Sequence, residues 1–93
     1  MQPEEAYQHL ENLAAKLGIS MRYDDLYDPE LPVKSGLCKV GGRRFYIMDK
    51  SKSLSEKTTL LAQCLCHMDT DGVYLLPAIR DLLKAASNSL APK

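Results

Sequence analysis

A chain of 93 residues, 45% of them apolar and 26% charged, has room for one hydrophobic core and no second domain. Its 12 basic residues balance 12 acidic ones, so no global field draws it toward nucleic acid or anionic lipid. Apolar runs of only a few residues exclude a membrane-spanning helix, and an odd count of 3 cysteines points to thiols rather than a disulfide framework. The opening Met1-Gln2-Pro3-Glu4-Glu5 has neither the basic nor the apolar stretch of a secretory signal, so a reducing cytoplasm is expected.

Ala6, Leu10, Leu13, Ala14 and Leu17 recur at helical spacing. Pro3 suits the first turn of that helix, Glu4 and Glu5 suit its positive end, and Gly18 suits its stop. Ile19, Met21 and Tyr23 alternate with polar neighbours as a half-buried strand does. Residues 24–35 carry two prolines and four acids and form a loop, read as a solvated crossover between strands. Those acids lack the regular spacing of a cation site.

Leu37–Val40 and Arg43–Asp49 flank Gly41-Gly42, a strong hairpin signal because a type I′ turn needs positive φ at both central positions. Phe45 and Ile47 share one face of the second run and Tyr46 and Met48 the other, which predicts the central strand. Arg43 and Arg44 read as a solubilising edge; with Lys50 and Lys52 they form the single local basic patch. Ser53-Leu54-Ser55-Glu56 is a capping box, opening a helix expected to reach Met68 with Leu54, Thr58, Leu61, Leu65 and Met68 on its core face. Val73–Leu76 is a short apolar connector, and Pro77 opens a last helix carrying Ile79, Leu82, Leu83 and Ala86. The expected architecture is α+β in the order α-β-β-β-α-α, a small three-stranded antiparallel sheet with helices packed on one face. Residues 1–86 form the single domain and 87–93 a fraying tail.

The densest chemistry is Gln63-Cys64-Leu65-Cys66-His67. At 100° per residue, Cys64 and Cys66 point about 200° apart and cannot share one ion, whereas Cys64 and His67 lie on one flank. Cys38 on the hairpin, with Asp69 or Asp71, would have to complete a metal site; Cys64 with His67, or Cys38 with His67, would make a thiolate–imidazolium pair. The plainer readings are a small buried hydrophobe for Cys64 and a boundary residue for His67. Cys66, set opposite the core, reads as an exposed thiol, and His9 as a surface residue. The apolar segment Val73, Tyr74, Leu75, Leu76 and Ile79 either folds over the sheet or forms a symmetric dimer patch.

The order of elements and the run Leu61-Ala62-Gln63-Cys64-Leu65-Cys66-His67-Met68 resemble the minimal zincin-type metallopeptidase core of the phage-repressor-cleaving, ImmA/IrrE-type proteins. That family reads Leu-Ala-His-Glu-Leu-Gly-His-Phe at this helix, behind a cap similar to Leu54-Ser55-Glu56-Lys57, and the resemblance covers roughly residues 5–69. The family's first histidine falls on Gln63, its glutamate base on Cys64 and its second histidine on His67. A zincin needs two imidazoles at i, i+4 and a carboxylate to take the proton from bound water. Gln63 is a poor zinc ligand, Cys64 cannot stand in for the carboxylate, and Asp81 is an unmotivated third ligand. The resemblance therefore implies the scaffold without the reaction, with no catalytic residue and no cofactor. Gly36-Leu37-Cys38-Lys39 is also similar to a strand start in small bacterial proteins of unassigned role. These features lead to a non-catalytic protein-interaction module of a bacterial cytoplasm, partnered by another protein or by its own copy, with no nucleic acid and no membrane. The alternative is a metal- or redox-responsive protein using Cys38, Cys64 and His67.

Overall fold

The computed structural model describes residues 1–24 and 36–90, with side chains described as far as residue 88. The acidic stretch singled out in the sequence lies, but for Asp24, outside the described residues. The elements are α1 (Pro3–Lys16), β1 (Ile19–Asp24), β2 (Gly36–Val40), β3 (Arg43–Asp49), α2 (Leu54–Leu65) and α3 (Pro77–Leu90), the α+β order read from the sequence.

The sheet order is β1-β3-β2, with β3 central. Gly41 and Gly42 take φ of 58° and 82°, and the hairpin they close pairs β2 antiparallel to β3 in the register Val40↔Arg43 through Gly36↔Ile47. β1 pairs with β3 in parallel, from Ile19↔Arg44 to Asp24↔Asp49, so the sheet is mixed and the expected all-antiparallel sheet is corrected. The reason is topological. The chain leaves β1 beside the end of β3 and re-enters at Gly36 on the opposite edge, so β2 rather than β3 is the strand that runs back. The two edges stand about 10 Å apart.

One sheet face meets the helices. Ile19, Tyr46 and Met48 join Tyr7, Leu10, Leu13 and Ala14 of α1, Leu61, Ala62 and Leu65 of α2, and Ile79, Leu83 and Ala86 of α3 in a single buried cluster. Pro at the start of α1, two acids in its first turn, and Gly18 at φ 81° after Leu17 bound that helix as its sequence requires. The capping box of α2 forms in both directions between Ser53 and Glu56.

That helix stops at Leu65, three residues short of the expected Met68. Cys66 holds an αR conformation as C-cap, and the Met68 amide bonds back to the Leu65 carbonyl in a tightened last turn. The Asp71 amide donates to the Asp69 carboxylate and Gly72 turns at φ 83°, which carries the chain toward α3. α3 continues to Leu90, so residues 87–90, expected to fray, extend the helix beyond buried Ala86; residues 91–93 lie outside the described residues. Among the described residues, no helix is long and apolar enough to cross a membrane.

Candidate functional site

β alternation decides where the hairpin residues point. Tyr46 and Met48 face the helices, so Leu37, paired with Tyr46, faces them too, and Cys38, paired with Phe45, faces the other way. Leu37 and Tyr46 meet Leu60, Gln63, Cys64, His67 and Met68 of the α2 region around an open groove of about 360 Å³. The three positions that the zincin resemblance marks out thus share one groove, whereas Cys38 lies across the sheet from Cys64 and His67. Among the described residues, no group of three or more His, Cys, Asp or Glu side chains is placed to hold a metal ion.

The electrostatics of the groove do not favour a nucleophile. Burial pushes the Cys64 thiol up, Cys66 adds to that rise, and Arg44 opposes it. A thiol held protonated is a weak nucleophile and a weak metal ligand. Tyr46, on the same wall, is pushed up to about 12 by burial, with smaller contributions from Cys64 and Tyr7. Cys66 is half-buried against the core and its thiol donates to the Gln63 carbonyl at 3.1 Å, so it is not the exposed thiol that helical spacing suggested. The connector and α3 pack beside it, where Leu75 and Leu83 line one groove with Cys66.

The apolar connector resolves residue by residue. Ile79 is 2% exposed and belongs to the core, and Val73, Leu75 and Leu76 are partly buried against it. Tyr74 alone stays out, at 77% exposure, on the rim of a groove also lined by His9, Asn12, Lys16 and Leu76.

Sequence reasoning missed two arrangements. Arg44 lies on the helix-facing side of β3, and its guanidinium donates to the Leu17 carbonyl at the end of α1 and to the Met68 sulfur at 3.6 Å. Its register opposite Ile19 carried that signal. The second is a chain of phenols: Tyr7 donates to the Tyr23 hydroxyl at 2.8 Å, and Tyr23 donates to the Glu11 carboxylate.

The most open surface with unmet bonding capacity is β2. Leu37, Cys38, Lys39 and Val40 are all exposed, and among the described residues no strand lies beyond them. In a two-residue hairpin the closing pair is hydrogen-bonded and pairs alternate from there. Val40, Cys38 and Gly36 therefore spend their main-chain groups on β3, and Leu37 and Lys39 aim theirs outward. No protein-family model, curated protein or solved structure matches the chain.

Proposed function

We propose that this chain is a non-catalytic protein-interaction module, on a zincin-like scaffold stripped of its metal ligands, that takes its partner by strand addition along β2. The observation that carries the reading is the outer edge of β2: free of proline, paired with no other strand among the described residues, and with the amides and carbonyls of Leu37 and Lys39 directed outward. The opposite edge of the sheet, β1, carries the exposed Arg22 and Asp24, paired at 3.8 Å. The non-catalytic half rests on the donor set, in which Gln63 offers a neutral amide, Cys64 a protonated thiol and His67 a lone imidazole. A reducing cytoplasm suits a chain with three free thiols.

Two measurements test the two halves. Protein purified under reducing conditions without chelator is expected to hold metal well below stoichiometry and to leave an unfolded casein substrate intact after zinc addition. Stoichiometric zinc that is lost in Cys64→Ser and His67→Ala would overturn the non-catalytic reading. For the edge, amide exchange on dilute protein is expected to be fast at Leu37 and Lys39 and slow at Cys38 and Val40. Slow exchange at all four would show the edge already covered by the chain itself.

A further inference from the structure

We infer that the partner added along β2 is a second copy of this chain, paired antiparallel about a two-fold axis through Cys38. This rests on the strand-addition reading and goes beyond it by naming the occupant.

The argument is one of self-complementarity. β2 offers outward main-chain groups at only two residues, Leu37 and Lys39. A two-fold axis at Cys38 sets Leu37 opposite the copy's Lys39, and Lys39 opposite its Leu37, so both residues exchange their bonds reciprocally. An axis at Lys39 would set Leu37 opposite Gly41 in the turn and strand it, and an axis at Leu37 would leave Lys39 without a partner among the described residues. The side chains agree with that register. Opposite Lys39 comes the copy's Leu37, 44% exposed, so a lysine stem covers an aliphatic side chain and no like charges stand directly opposed.

On the other face Val40, 66% exposed, comes to lie over Gly36 of the copy, where a side chain would meet open space. Cys38 faces its own copy in a non-hydrogen-bonded pair, where Cα atoms stand about 4.5 Å apart, within the range a disulfide accepts. The result is a continuous six-stranded sheet. Pairing over five residues buries less than a standard interface, so the dimer is a weak one, populated in the range of about 100 µM and above.

Sedimentation equilibrium of the full chain in reducing buffer, from low micromolar to millimolar, tests this directly. The weight-average mass is expected to rise toward twice the monomer's. Lys39→Pro removes an outward amide that β3 does not use, and Val40→Lys sets a cation against the glycine of the copy. Each is expected to weaken association about tenfold or more with an unchanged circular dichroism spectrum, and Tyr74→Ser to leave it unaltered. In a Cys64→Ser, Cys66→Ser background, copper-phenanthroline and oxygen are expected to join two chains through Cys38, the oxygen accepting the two electrons and two protons that the thiols give up. Association lost in Tyr74→Ser but kept in Lys39→Pro and Val40→Lys would overturn the proposal, as would an absent Cys38 cross-link. A chain that stays monomeric at millimolar concentration with fast exchange at Leu37 and Lys39 overturns the second copy alone. A monomer with those amides protected overturns strand addition as well.

Discussion

Arg44 shows how a charged residue can be part of a core without being buried as an unpaired charge. Its stem crosses the helix-facing side of the sheet, and its guanidinium satisfies the Leu17 carbonyl at the negative end of α1. Truncation leaves that carbonyl without its partner. Arg44→Ala is therefore expected to cost about 1–3 kcal/mol of unfolding free energy, read from urea titration, and the exposed neighbour Arg43→Ala to stay within about 0.5 kcal/mol. Equal effects at the two positions would remove the structural role assigned to Arg44. The thiols make a second residue-scale contrast. At low micromolar concentration iodoacetamide is expected to modify exposed Cys38 first and Cys64 last, because burial keeps the Cys64 thiol protonated and shields its sulfur. Peptide mapping at successive times checks the order. The place of Arg44 was not legible in the sequence, since two adjacent arginines beside a Gly-Gly turn look alike until strand register assigns each to a face. Cys66 was misplaced for a related reason: spacing sets it opposite the sheet, but the connector and α3 pack on that side of α2 and half-bury it.

At the scale of elements, local chemistry was legible wherever it was strong. The Gly41-Gly42 turn, the Ser53–Glu56 box, Pro3, Pro77 and Gly18 all mark boundaries close to where the structure has them. Ser53→Ala breaks the better-defined cap and is expected to lower stability by about 1 kcal/mol, with the loss localised to α2 by faster exchange of its first-turn amides. Uniform loss across the sheet and helices would argue against a local cap. Strand direction was not legible in the same way. Ile19, Met21 and Tyr23 carry the alternation of any half-buried strand, and alternation is the same whether the neighbour runs parallel or antiparallel. Direction follows from which edge of β3 the chain reaches after Asp24, a tertiary choice with no local code. The candidate site divides along the same line. Helical spacing put Cys64 and His67 on one flank, where the groove has them, but Cys38 joined them only on the assumption that the hairpin would turn that face inward.

The whole molecule carries one property that no element has alone. Tyr7 on α1, Tyr23 on β1 and Tyr46 on β3 place three phenols between the first helix and the sheet, and all three are held neutral by the fold. Burial is the largest cause for each. Tyr23 is raised furthest, because its hydroxyl also donates to Glu11 and pairs with Tyr7, while Tyr46 sits at about 12. In the unfolded chain these phenols ionise near 10. Below about pH 9 both states keep the protons, and the contribution of the phenols is fully present. Above pH 10 the unfolded chain releases protons that the folded chain retains, so the equilibrium moves toward unfolding and stability falls with pH, with buried Tyr7 and Tyr46 contributing and Tyr23, 38% exposed, contributing less than its shift alone would give because solvent screens it. Cys64, also raised, acts in the same direction from a slightly lower pH. The urea midpoint is thus expected to be flat from pH 7 to about pH 8, to soften as the Cys64 thiol of the unfolded chain ionises, and to drop steeply between about pH 10 and 12. Tyr46→Phe is expected to make that drop shallower, because it removes one of the protons that the folded state withholds. A midpoint that holds level through pH 11, or a Tyr46→Phe profile parallel to the parent's, would show that the phenols are not the groups coupling this fold to alkaline pH.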